Sequence, residues 1–289
     1  MNLVIKELKT KNLLAESESA IIVDLSNFNL PPAIIQKSDK TSLYITRDLA
    51  AAIYRHNKYN FYKMIYEVGA EQKLHFQQLF KVLELMEYKW FKDCTHIYHG
   101  LYLGKDRKKL GTREGKTIFM EDILEESINK AKKKINKKNP NLKNKDLVAK
   151  DIGVGAIIFG DLSNDRTNDI IIDINKFLSF DGETGPYIQY THARACSILR
   201  KYKSNLDLNV ETSLLVEDME KALLLLISKY HQIIDKTIIL FKPNILARYL
   251  LDLSQLFNEY YHEFKIIQEK KELEKSRIAL VYSVKIVLS

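Results

Sequence analysis

The 289 residues carry 45 Lys and Arg against 37 Asp and Glu, a formal charge of +8, and 46% of them are hydrophobic. That is enough length and apolar content for about two ordinary domains with real cores, which excludes a disordered chain or a small disulfide-stapled scaffold. The two cysteines, Cys94 and Cys196, stand far apart and outside any metal-ligand spacing, so no metal site is expected and both read as buried small hydrophobes.

The opening MNLVIKELKTKNLL lacks the apolar core and cleavage site of a secretory leader, and no apolar run is long enough to span a bilayer. A cytoplasmic location without a membrane partner is expected, and the positive charge suits a polyanionic partner. From residue 20 to about 123, strand-like runs at 21–24, 33–36, 43–46, 64–68 and 96–101 alternate with helical spacing at 49–56 and 74–87, which is the α/β pattern. Within it, KSDKTSLYITRDLAAAIYR at 37–55 places Tyr44 and Asp48 where a strand over 41–46 is expected to run into an alanine-rich helix. With a period of two, positions 44, 46 and 48 share a face. Ligands in open α/β sheets sit beyond the carboxyl ends of the strands, so this pair can hold a small cation, a guanidinium above all. The alternative is that Asp48 caps the helix and Tyr44 fills core.

The next helix opens with Glu71-Gln72-Lys73-Leu74-His75-Phe76. Gln72 can bond an amino or carboxyl group and His75 can stack on a base or meet a ribose, although a helix start needs no ligand to explain them. Lys109-Leu110-Gly111-Thr112-Arg113-Glu114-Gly115-Lys116 combines glycines and cations before a helix near Met120, as a loop closing on a triphosphate would; a charged surface turn is the alternative. Nine lysines between Asn129 and Lys150 read either as a solvated helix end or as a phosphate-facing surface. Gly153-Val154-Gly155 lacks the third glycine and preceding strand of a nucleotide fingerprint, so close helix packing is expected within a helix over 147–162, followed by a strand at 170–174.

After Gly185-Pro186 the pattern is helical throughout, with helices expected at 187–202, 214–239, 244–264 and from 274 onward, forming a separate bundle. Ile188, His192, Ala195, Leu199 and Tyr202 make a core stripe. Beside it run Tyr187, Tyr190 and Arg194, suited to unstacked bases and phosphate, with Tyr260, Tyr261 and Phe264 on another helix. Aromatics at helical spacing are as readily core.

Taken together, four segments resemble the arginyl-tRNA synthetases, a class I aminoacyl-tRNA synthetase family: the 37–55 stretch, YEVGAEQKLHFQQLF at 66–80, VGAIIFGDLSNDRTNDIIIDINKFLSFDGETGPYIQYTHARACSILRK at 154–201, and NILARYLLDLSQLFNEYY at 244–261. The resemblance implies an α/β partial Rossmann-type catalytic domain followed by an all-α helical-bundle anticodon-binding domain. Its implied divisions are 1–123 for the second part of the catalytic nucleotide fold, 124–185 for a connecting region, and 186–289 for the anticodon-binding domain. The implied activity is arginine–tRNA ligation: arginine and ATP, with Mg2+, give arginyl-adenylate, and the arginyl group passes to its tRNA.

By position, Tyr44 and Asp48 match residues that hold the substrate arginine, and Gln72 one near its α-amino end. His75 falls on the ATP side with Lys109, Thr112 and Arg113, the last three in the loop usually written KMSxR, where Lys109 and Arg113 take the catalytic roles. Leu110 and Gly111 depart from that pattern, which removes a hydroxyl from the phosphate contact. Tyr187, Tyr190, Arg194 and Tyr261 are the expected tRNA contacts. None of the seven histidines lies in the His-x-Gly-His pattern that class I enzymes use on the transferring phosphate, and His96-Ile97-Tyr98-His99-Gly100 has the wrong order. The expectation is therefore a piece running from mid catalytic domain nearly to the C-terminus. By itself it is weakly active or inactive, with a complementary N-terminal fragment as candidate partner and a non-catalytic tRNA-binding module as the alternative.

Overall fold

The computed structural model describes residues 1–39, 41, 43–104, 119–180, 182–202, 204–268 and 270–289. The chain divides into two compact units, Met1–Leu101 and Tyr102–Ser289, each described by itself.

In the first unit, helix α1 (Asn2–Thr10) precedes the antiparallel strands β1 (Ala15–Ser17), β2 (Ala20–Val23) and β3 (Ala33–Gln36). Helix α2 (Tyr44–Tyr59), strand β4 (Met64–Gly69), helix α3 (Lys73–Leu85) and strand β5 (Cys94–His99) follow. The parallel pair β4 and β5 runs from Met64 opposite Cys94 to Gly69 opposite His99 and is connected through α3, a βαβ unit. Phe76, Leu79, Val82 and Leu83 of α3 are buried at helical spacing and meet Leu49, Leu8, Leu25 and Ile35 in one core. Helix α1 was not anticipated, although Val4 and Leu8 are buried one turn apart.

The strand expected over 41–46 is not formed: α2 begins at Tyr44. Tertiary packing overrides the β-branched run, because Ile45, Leu49 and Ala52 fit the core at helical spacing and Thr46 Oγ1 donates to the carbonyl of Ile35 at 2.5 Å. The helix ends at Asn60, whose φ of 44° is a left-handed cap that Asn tolerates.

In the second unit the short parallel strands β6 (Tyr102–Leu103) and β7 (Ile170–Ile171) accompany a hairpin of α4 (Met120–Lys138) and α5 (Lys145–Leu162). Gly153 lets these helices meet: a Cβ there would lie 2.7 Å from both N and Cα of Ile128, and Ser127 Oγ donates to the Gly153 carbonyl at 2.9 Å. After α6 (Ile174–Phe177) comes the helical region. Helix α7 (Gly185–Lys201) starts on a Thr184 cap with Pro186 in its first turn. The single helix expected over 214–239 is two, α8 (Asp218–Ser228) and α9 (Tyr230–Leu240). A Glu217–Glu220 capping box starts α8, and its chain leaves helical bonding at Lys229. Helices α10 (Pro243–Glu263) and α11 (Lys271–Leu288) complete it. Leu223, Leu253, Phe257, Tyr260, Val281 and Val284 are buried in its core. No helix among the described residues is long and apolar enough to cross a membrane.

Candidate functional site

Two clusters gather the residues singled out from sequence. In the first unit, Tyr44 and Asp48 share a face of α2 because they stand one helical turn apart, not because of a strand period. Tyr44 is 75% exposed, its ring 5.9 Å from the Arg47 guanidinium. This excludes the core-filling alternative for Tyr44, and Asp48, in the second turn of α2, is not its N-cap.

His75, on the first turn of α3, brings Nε2 to 2.7 Å from Oδ2 of Asp48. An ionised carboxylate only accepts, so Nε2 carries the proton in this bond. The other oxygen, Oδ1, takes no part in it, and with Tyr44 beside it the group can accept a forked cationic donor. The His75 ring stands edge-on to Phe76, which stacks on His96 at 4.3 Å, so core packing sets the angle at which His75 meets Asp48. Gln72 closes a 3-10 turn directly after β4 and is exposed at its carboxyl end. Tyr66 lies near enough to feel Asp48; burial first, then Cys94, pushes its phenol up to about 12, so it stays neutral at physiological pH. Tyr66 gave no sequence signal beyond a strand aromatic.

In the second unit, Tyr187, Tyr190 and Arg194 of α7 line an open cleft of about 500 Å³ with Asn258 and His262 of α10. The Arg194 guanidinium lies 4.9 Å from the Tyr190 ring centre and 4.8 Å from that of Tyr261. Its Nη1 donates to Asn258 Oδ1 at 2.5 Å and its Nη2 to the Tyr190 hydroxyl at 3.2 Å. Asn258 is fixed in turn by donating Nδ2 to Thr191 Oγ1 at 2.8 Å. A cation held by two rings and two hydrogen bonds is preorganised for an anion or a base edge. Sequence reasoning missed Asn258, whose only cue is its position three residues before Tyr261. Tyr260 and Phe264, grouped with Tyr261 beforehand, face the core instead: Tyr260 is fully buried and donates to Glu220 at 3.1 Å.

Lys109, Thr112 and Arg113 lie outside the described residues, as do Leu110 and Gly111. The lysine-rich stretch resolves into roles: Lys130 pairs with Glu126, Lys132 with Asp146, and Lys134 donates to the Leu178 carbonyl. Among the described residues no group of three or more His, Cys, Asp or Glu is placed to hold a metal ion.

The family model described as "tRNA synthetases class I (R), catalytic domain" matches residues 1–174, and that described as "DALR anticodon binding domain" matches residues 188–289. An arginine--tRNA ligase of Clostridioides difficile is 47% identical over 285 residues, 99% of this chain and 50% of that protein. The structure of Thermus thermophilus arginyl-tRNA synthetase superposes with a TM-score of 0.88 at 23% identity, covering 99% of this chain and 55% of that one. For the arginyl-tRNA synthetase from Plasmodium falciparum the TM-score is 0.85 at 26% identity, with coverages of 99% and 49%. The chain spans about half the length of the relatives it matches.

Proposed function

We propose, from the premise that this chain belongs to the class I arginyl-tRNA synthetase family, that it supplies the arginine-binding and tRNA-binding parts of an ATP-dependent arginine–tRNA ligase. The fold agrees with that premise: an α/β unit comes first, and helices follow over the residues, 188–289, that the anticodon-binding family model matches. Asp48 accepts the guanidinium of L-arginine, Tyr44 covers it, and Gln72 meets its α-amino end. His75 steadies the Asp48 carboxylate from the ATP side. Lys109, Thr112 and Arg113 contact ATP, which would bring its own Mg2+ to offset phosphate charge, and Lys109 and Arg113 stabilise the negative charge that develops on the phosphates during activation of arginine. Tyr187, Tyr190, Arg194 and Tyr261 hold the anticodon arm of the arginine tRNA. The observation that carries the reading is the pairing of a half-exposed carboxylate with an exposed tyrosine one turn apart, beside the carboxyl end of a parallel strand pair.

Equilibrium dialysis of the chain against labelled arginine tests this. Asp48→Asn is expected to weaken binding about tenfold or more, the loss of one charge-assisted pairing of ~1.5–3 kcal/mol. Unchanged affinity refutes the assignment. Catalysis is a separate question, because the sequence contains no His-x-Gly-His. Arginine-dependent ATP–pyrophosphate exchange with the tRNA present should be weak for this chain alone and rise when a complementary N-terminal fragment is added. Robust exchange by the chain alone overturns that expectation.

The preorganised Arg194 cleft favours a second reading, a non-catalytic tRNA-binding module. The dialysis separates the two readings, since the module alone needs no arginine.

A further inference from the structure

The two cysteines stand far apart in sequence, yet the fold gives Cys196 a neighbour with a second metal-ligating atom. His192 and Cys196 lie four residues apart on α7 and so share one of its faces. The sulfur stands 3.7 Å from Nε2 and 4.0 Å from Nδ1 of the imidazole. Being nearly equidistant from the two nitrogens, it faces the ring edge between them, and a turn of the ring brings either nitrogen to an ion held at sulfur. Bonds of about 2.3 Å to sulfur and about 2.0–2.1 Å to nitrogen, at a tetrahedral angle, put such donors about 3.6 Å apart. The observed separation is close to that bite.

The surroundings suit a ligand pair better than a core contact. Both side chains are half-buried rather than sealed. Burial first, then Lys285 of α11, holds His192 below its ordinary value, which keeps the imidazole neutral, the form that ligates. The Lys285 ammonium opposes an incoming dication, and the thiolate formed on binding cancels one of that ion's two charges. Cys94 is no rival, because it is buried, and burial first, then Asp93, pushes its thiol up to about 11. The cleft around Arg194 is a different place. Tyr190 and Arg194 stand two residues out of step with this pair, about 200° round the helix, and neither His192 nor Cys196 lines that cleft.

We propose that His192 and Cys196 chelate one thiophilic divalent ion of the zinc class on α7, sulfur and an imidazole nitrogen filling two corners of a tetrahedron and water the other two. A thiolate with an imidazole selects such an ion over Mg2+, which takes oxygen ligands. The thiol proton passes to solvent as the sulfur–metal bond forms. Among the described residues no third His, Cys, Asp or Glu joins the pair. Two protein ligands, where a structural zinc site has four, make the ion exchangeable. The inference is independent of the arginine and tRNA readings.

The test is titration of the reduced full chain with Cd2+, a zinc-class probe whose thiolate complex absorbs in the ultraviolet. One equivalent of the charge-transfer band per chain is expected, displaced by Zn2+. The band should persist in Cys94→Ser and vanish in Cys196→Ser. In His192→Gln it should demand at least ~10-fold more Cd2+, no less than loss of an outer-shell partner costs. A second measurement needs no variant: X-ray absorption of the zinc-loaded native chain should show one sulfur at about 2.3 Å and one imidazole nitrogen at about 2.0 Å. A band that survives Cys196→Ser, equal affinity in His192→Gln, or a sulfur shell without imidazole overturns the chelate. The last two results leave a simple thiol adduct.

Discussion

Replacing Glu220 by glutamine keeps the shape of the side chain and removes the charge against which Arg277 is buried. Glu220 has no exposed surface; its Oε1 accepts from Arg277 Nε at 2.7 Å and from the Tyr260 hydroxyl at 3.1 Å, while Oε2 accepts from the Glu217 backbone N–H at 3.1 Å. Arg277 is 7% exposed, donates Nη1 to the Lys265 carbonyl, and lies over the Phe264 ring. Burial and the neighbouring Glu220 also raise the Tyr260 hydroxyl well above its ordinary value, so it remains a donor to the carboxylate. The pair ties α8 to α11, and Tyr260 ties both to α10. Removing one member of a buried ion pair leaves the other charge without compensation, at a cost of about 3–5 kcal/mol. The amide retains some hydrogen bonding, so Glu220→Gln should fall near the lower end, about 3 kcal/mol. Urea unfolding followed by circular dichroism at neutral pH measures it as a lower midpoint at unchanged slope. Because Tyr260 adjoins Tyr261 and stands two residues beyond Asn258 on α10, affinity for an anticodon stem-loop of an arginine tRNA, measured by fluorescence anisotropy, should fall with it. A loss below about 1 kcal/mol would refute the claim that this ion pair organises the helical region.

Gly153→Ala places a methyl 2.7 Å from the Ile128 backbone, so α4 and α5 must separate; about 1–3 kcal/mol of destabilisation is expected in the same urea assay, against gain if only helix propensity mattered. Lys242, then the Thr167 backbone and side chain, hold the Asp165 carboxyl down to about 2 from an ordinary 3.8. A carboxyl depressed in the folded state adds stability above its unfolded value and loses it as pH falls through the folded one, so the stability difference between the native chain and Asp165→Asn should shrink between about pH 4 and pH 2. A difference that is flat across that window in pH-dependent unfolding contradicts the Lys242–Asp165 pairing.

How much of this was legible in sequence depended on the range of the interaction. The α/β half, the helical half, and most helices of ten or more residues follow from periodicity, since burial of one face is a local pattern: Phe76, Leu79 and Leu83 announce α3. The start of α2 did not, because Tyr-Ile-Thr favours a strand locally and only Ile35, eleven residues back, supplies the carbonyl that Thr46 needs. The same limit governs the sites. Tyr190 and Arg194 are readable as a pair because they are neighbours on one helix, but the grip on Arg194 comes from Asn258 and Tyr261, more than sixty residues on, and no spacing rule reaches that far. Asp48 could be read as a guanidinium acceptor from its own segment, while its bond to His75, 27 residues away, could not. That bond changes the chemistry expected of Asp48. A carboxylate already holding one donor is fixed in orientation before substrate arrives, so less rotational freedom is lost on binding and the oxygen outside that bond is presented in a set direction. Short-range pattern thus nominates which residues carry charge and rings, and long-range packing decides which of them are held still.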